Sequence, residues 1–144
     1  MLIARLYDKV RALTQDDVRR LAENTPFPGH DAELDDIRRA YGSGAEVVRK
    51  IQEPFLALTE AEYRQLQQRI VENWPSIRTI ADTVLPAPTV AELLNAVGAP
   101  TDWQTLGLEE HMVEPALRYG HYLRNRFTVV KLCKMLGIDT RPAV

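Results

Sequence analysis

An all-α fold is what this sequence predicts, as one multi-helix domain over residues 1–144, and three observations carry the prediction. Apolar residues recur at three- and four-residue intervals along most of the chain, the period of one helix face. No stretch of useful length alternates apolar and polar residues as a half-buried strand does. Helix-start patterns at Thr14/Asp17, Thr59/Glu62 and Thr89/Glu92 alternate with stops built on proline and glycine. Seven or more helices joined by short connectors are therefore expected, with no sheet.

The bulk properties bound the function. A chain of 144 residues is long enough for one domain with a real core. At 45% hydrophobic and 26% charged residues it has globular rather than disordered composition. A formal charge of -2 and a pI of 5.9 supply no drive toward nucleic acid or an anionic membrane, so neither is an expected partner. The single cysteine, Cys133, excludes an internal disulfide and falls on the apolar face of the last helix. A buried free thiol suits a reducing compartment. With no signal segment and no long apolar run, the expected location is the cytoplasm.

Taken in order, residues 1–13 place Leu2, Ile3, Leu6, Val10 and Leu13 on one stripe. No capping residue precedes them, which reads as a helix whose lead-in is missing or lies on another chain. Thr14 with Asp17 opens a short helix through Asn24, and the TPFPGH segment from Thr25 to His30 is a surface loop. Asp31 is the expected cap of a helix through Tyr41 that turns Leu34, Ile37 and Tyr41 inward. Gly42-Ser43-Gly44 is a turn; without a preceding strand or a following Lys-Ser or Lys-Thr it lacks the context of a phosphate loop.

The next helix, from Ala45 to about Leu58, carries Val47, Val48, Ile51, Phe55 and Leu58, with a kink or break expected near Ile51 because of Pro54. Thr59 to Glu62 opens another, with Leu66, Ile70 and Val71 on its stripe. Trp74-Pro75 ends it, and Pro75 suits the first turn of a further helix through Val84. Leu85-Pro86-Ala87-Pro88 reads as a rigid connector, followed by a helix capped at Thr89 and ended by Gly98. Two more patterns meet at an elbow: Met112, Ala116, Leu117 and Leu123, then Val129, Val130, Leu132, Cys133 and Leu136, with Thr128 as cap and Gly137 as stop. The expected core is Leu6, Val10, Ile37, Val48, Ile51, Leu66, Ile70, Leu93, Leu117, Phe127, Val130 and Leu136.

Side chains able to do chemistry are few. His30, His111 and His121 form no metal-hydrolase pair; His111 with Glu114 supplies only two ligands, so His111 reads as a surface residue. Asp35-Asp36 and Glu109-Glu110 are sequence neighbours that diverge on a helix, which suits a solvated face rather than acid/base catalysis. No catalytic residue is assigned. At the elbow, Arg124 and Arg126 flank Asn125 beside two helix ends, with His121 close by. One reading is that the guanidinium groups bond helix-terminal carbonyls or nearby carboxylates and fix the elbow, which is the commoner arrangement. The other is that Arg124, Arg126 and His121 hold an anion, a phosphate among them. His121 either transfers a proton near neutral pH or packs beside Tyr122.

The run Arg124-Asn125-Arg126-Phe127-Thr128-Val129-Val130, preceded by Gly98-Ala99-Pro100-Thr101 and Leu106-Gly107-Leu108, resembles the C-terminal end of the sn-glycerol-1-phosphate dehydrogenases. That family lies within the iron-dependent alcohol dehydrogenase and dehydroquinate synthase superfamily. The similarity extends upstream through Arg39-Ala40-Tyr41-Gly42. The resemblance implies a helical C-terminal half that works with an N-terminal nucleotide-binding half, NAD(P), and a divalent metal such as zinc, nickel or iron. It further implies reduction of dihydroxyacetone phosphate, or of a related keto or cyclitol phosphate. The sequence departs from the family where that chemistry sits. The Asp and two His metal ligands, one in a Gly-His-Gly-like segment, would precede the first helix and are not found, nor is a glycine-rich nucleotide turn. The expectation is a chain that binds neither cofactor by itself and needs an N-terminal half, either a separate subunit or a removed part of the same polypeptide, or self-associates through the Leu2/Ile3/Leu6 stripe. The alternative is a binding or scaffolding module derived from that domain.

Overall fold

Local signals place most of the helix starts that the computed structural model describes over residues 1–140. Among those residues there are nine α-helices, two short 3-10 segments and no strand. They are α1 (Leu2–Ala12), α2 (Gln15–Asn24), α3 (His30–Tyr41), α4 (Ala45–Leu56), α5 (Glu60–Glu72), α6 (Trp74–Asp82), α7 (Ala87–Ala96), α8 (Glu110–Tyr119) and α9 (Val129–Met135). The 3-10 segments are Gly42–Gly44 and Gly120–Leu123. The all-α expectation and its helix count hold.

Both capping boxes ahead of α2 and α5 form. Thr14 accepts from the Asp17 amide and Thr59 from the Glu62 amide, and each acidic side chain returns a bond to the cap backbone. Thr128 caps α9, its hydroxyl accepting from Lys131 N at 3.4 Å. The other end of α9 closes as expected at Gly137, in the left-handed region at φ 63°. Ile138 N donates to Cys133 O and Gly137 N to Lys134 O, the paired bonds of a helix-ending reversal. A Cβ at this glycine would also lie 2.6 Å from Thr25 Oγ1, so backbone angle and close approach both require glycine.

Two starts, one break and one helix end differ from expectation. α3 begins at His30 behind Gly29, not at Asp31, because Gly29 takes φ 79° and His30 Nδ1 sits 2.7 Å from the Leu56 carbonyl. Asp31 still lies in the first turn, where negative charge is favoured. α4 runs through Pro54 without a break near Ile51; the proline falls two residues from the helix end. α7 starts at Ala87, so the Thr89/Glu92 pattern lies inside it and caps nothing. Its first turn tolerates Pro88, whose missing amide would have had no partner there, and Asp8 of α1 accepts from Ala87 N at 3.0 Å. Lastly, the pattern ahead of the elbow is not one helix: α8 stops at Tyr119 and a 3-10 segment follows.

Asp8 and Arg11 act together at that junction. Arg11 donates to the Ala81 and Val84 carbonyls at 2.9 and 2.6 Å, covering the C-terminal end of α6, and also pairs with Asp8. One ion pair on α1 therefore supplies the end of one helix and the start of the next.

The main core joins α1, α2, α5, α6 and α9 around Leu6, Val10, Val18, Trp74, Cys133 and Leu136. Trp74 keeps its indole N–H satisfied on Leu13 O at 3.1 Å. A smaller cluster unites Ile37, Val48, Leu56, Tyr119 and Tyr122 from α3, α4, the end of α8 and the 3-10 segment after it. Of the expected core, Leu6, Val10, Ile37, Val48, Ile70 and Leu136 are buried; Ile51, Leu66, Leu117 and Val130 are partly so. Leu93 and Phe127 are exposed, at 55% and 47%, and so is Val47. Leu93 lies on α7, which buries only Ala87, and Phe127 lies in the elbow ahead of the Thr128 cap. Cys133 is a buried free thiol, and burial pushes its pKa up to about 11.

Candidate functional site

The two clusters meet at a polar seam in which α9 supplies the cations. On a seven-residue helix with five buried positions, Lys131 and Lys134 stand one turn apart, toward α3, α4 and the elbow. Lys131 is only 5% exposed. Its Nζ donates to Gln52 Oε1 at 2.9 Å and to Arg124 O at 3.4 Å, and lies 3.5 Å from the Phe55 ring centroid. Gln52 Nε2 in turn donates to Tyr122 O at 2.7 Å and Arg124 O at 3.1 Å. A buried glutamine thus fixes both the elbow backbone and the lysine.

Lys134 is held differently. Its Nζ is 2.6 Å from Glu33 Oε1 and 2.7 Å from the Tyr122 hydroxyl, which donates to Glu33 Oε2. Both carboxylate oxygens of Glu33 are therefore committed. Burial, and next the Glu33 charge, push Tyr122 far above the usual phenol range. Burial first lowers Lys131 to about 8, outweighing the opposing pull of Glu33, and the Lys134 charge adds to the lowering.

His121 completes the seam. It is 8% exposed, its ring centroid lies 4.0 Å from that of Tyr122, and its Nδ1 is buried without a hydrogen-bond partner among the described residues. Burial first, then the Lys134 and Lys131 charges, lower its pKa to about 3. The ring is neutral at physiological pH, which removes it as a proton carrier there. Beside these groups lies a cavity of about 70 Å³, walled on its apolar side by Phe27, Phe55, Leu58, Tyr63 and Met135 and on its polar side by Glu33, Gln52, His121, Lys131 and Lys134.

Of the three residues singled out in the sequence, His121 lines this cavity and the elbow arginines do not. Arg124 and Arg126 are exposed, and their side chains have no hydrogen-bond or ion-pair partner among the described residues. The Arg124 backbone carbonyl, rather than its guanidinium, enters the seam. His111 is on the surface beside Glu109 at 3.2 Å. Sequence reasoning missed Lys131, Gln52 and Glu33. The available signal was two polar residues on apolar faces, Gln52 four residues from both Val48 and Leu56 and Lys131 between Val130 and Leu132.

A second concavity lies between the start of α1 and α8, lined by Leu2, Ile3, Trp103, Leu106, Met112 and Leu117 among others. Ile3, Leu106, Leu108 and Met112 remain exposed around it. No helix among the described residues is long and apolar enough to cross a membrane.

The residues described here do not fit the groups that the dehydrogenase resemblance implies. No three His, Cys, Asp or Glu side chains among them converge on one metal position. The Gly42–Gly44 turn joins two helices rather than a strand and a helix, so it presents no nucleotide-binding turn.

No protein-family model matches the chain, and no solved structure matches it. Among curated proteins, the glycerol-1-phosphate dehydrogenase [NAD(P)+] of Bacillus licheniformis is 32% identical over 63 residues, which is 44% of this chain. The matched part covers 16% of that enzyme, so the chain spans a small share of the relative's length. What this supports is a distant relation of part of the chain to glycerol-1-phosphate dehydrogenase.

Proposed function

We propose that the chain is the helical half of a glycerol-1-phosphate dehydrogenase-like oxidoreductase, active only together with a nucleotide-binding half. The observation that carries this reading is the 32% identity to the Bacillus licheniformis enzyme, falling on an all-helical chain. NAD(P) and the divalent metal would be held mainly by the other half, since the described residues form neither site. When bound, they supply hydride chemistry and carbonyl polarisation. The role of this chain is to pack against that half and help shape the pocket for a phosphorylated ketone, with Arg124 and Arg126 as its exposed cations. The groove of Ile3, Leu106 and Met112 is the surface offered to the partner.

A second reading, a non-catalytic binding or scaffolding module, draws on the same exposed apolar groove. Purifying the tagged chain from its native cells separates the two. Mass spectrometry should find a nucleotide-binding partner with a glycine-histidine segment, and the complex should oxidise NADPH or NADH with dihydroxyacetone phosphate. Leu106→Asp should abolish co-purification and activity together. A stable assembly without a nucleotide-binding chain and without dehydrogenase activity would establish the scaffolding reading instead. Calorimetry of the isolated chain with NAD, NADP and zinc should show no tight binding; micromolar affinity for either nucleotide would end the half-enzyme reading.

A further inference from the structure

The cavity beside α9 holds an electrostatic imbalance. Lys131 and Lys134 bring two cations and Glu33 one carboxylate, whose oxygens are taken by Lys134 and Tyr122. Lys131 has no carboxylate within ion-pair distance among the described residues, only the neutral oxygens of Gln52 and Arg124 and the face of Phe55. Keeping a 5%-exposed ammonium without an anion is costly, because burial removes its hydration and neutral oxygens replace only part of it. On the same cavity, His121 Nδ1 is a buried polar atom with no hydrogen-bond partner among the described residues. Both observations point to a polar group that binds there. The opposite wall is aromatic and aliphatic, unlike the all-polar cradle that a free phosphate requires.

We propose that this cavity binds a small aliphatic carboxylate, its head group paired with Lys131 Nζ and its short chain laid against Phe27, Phe55 and Leu58. A volume of about 70 Å³ suits a ligand of a few carbon atoms rather than a nucleotide or a sugar phosphate. The site belongs to this chain alone and stands independently of the dehydrogenase reading. Gln52 is its built-in reporter, since one side chain bonds the lysine, Tyr122 O and Arg124 O.

Nuclear magnetic resonance of the full chain tests the proposal, with butyrate, butyramide and inorganic phosphate as probes. Butyrate should shift the Gln52 side-chain amide resonances and bind at least about tenfold more tightly than either butyramide or phosphate. Lys131→Met keeps most of the apolar stem and removes the charge; it should lose the butyrate response while still melting cooperatively. Equal affinity for butyramide would overturn the role of the ammonium. Phosphate binding as tightly as butyrate would overturn the apolar half of the site. No butyrate response at the cavity, or shifts confined to residues away from it, would overturn the whole proposal. Should Lys131→Met fail to fold, the comparison of the three probes on the wild-type chain decides alone.

Discussion

The core around α9 and the groove between α1 and α8 use the same residue types to opposite ends. Around α9, Leu136 and Cys133 are fully buried, and leucine, valine, tyrosine and tryptophan from four other helices close over them. In the groove, Leu106 is 60% exposed, and Ile3 and Met112 are open as well. Helical periodicity is present in both regions, so periodicity alone does not say whether a stripe is covered. What differs is the partner. α9 is met by α1 and by the buried Gln67 of α5, whose Nε2 bonds Met135 O at 2.9 Å. The groove faces no further element among the described residues, which is why it is offered above as an intermolecular surface.

The largest expected effect is a direct contrast of the two regions. Leu136→Ala should lower unfolding free energy by about 2–5 kcal/mol, the range for a buried leucine that leaves a cavity. Leu106→Ala should change it by less than about 0.5 kcal/mol, as exposed substitutions do. Urea titrations of both variants measure the difference. Comparable losses would mean that the groove is closed in solution.

An intermediate effect concerns pH. His121 has a folded pKa of about 3 against an ordinary value of 6.5, so the unfolded chain binds the extra proton between those values. Its contribution is present in full above the unfolded pKa and is lost as pH falls toward the folded one. Wild-type stability should therefore fall between pH 7 and pH 4 by on the order of 1–3 kcal/mol more than that of His121→Gln. Thermal melts across that range test it, with exposed His111→Gln as the control. Parallel profiles for wild type and His121→Gln would place His121 in contact with water.

The smallest effect is at the elbow. Phe127 belongs to the expected core but is 47% exposed, so Phe127→Ala should cost less than about 1 kcal/mol, well short of a buried aromatic. A loss of several kcal/mol by denaturant titration would return Phe127 to the core.

Helix identity was legible because its causes are local. Thr14, Thr59 and Thr128 each bond an amide within three residues, and Gly137 closes α9 through its own neighbours, so adjacent sequence suffices to read them. Thr89 had the same pattern and failed, because α7 already starts at Ala87, whose amide bonds Asp8 from 79 residues away. The stripes of α1, α5 and α9 were likewise readable as amphipathic.

The seam was not legible. Arg124 and Arg126 drew attention by charge and spacing, whereas the buried cation is Lys131, whose meaning depends on Gln52, 79 residues away. By itself, the sequence determined an all-α chain, most of its helix boundaries and a free buried cysteine, because backbone hydrogen bonding and side-chain periodicity act over a few residues. Tertiary structure alone decided which stripes are covered, which cation lost its water and which histidine lost its proton. Desolvation is set by elements brought together from distant parts of the chain, and no local pattern records it.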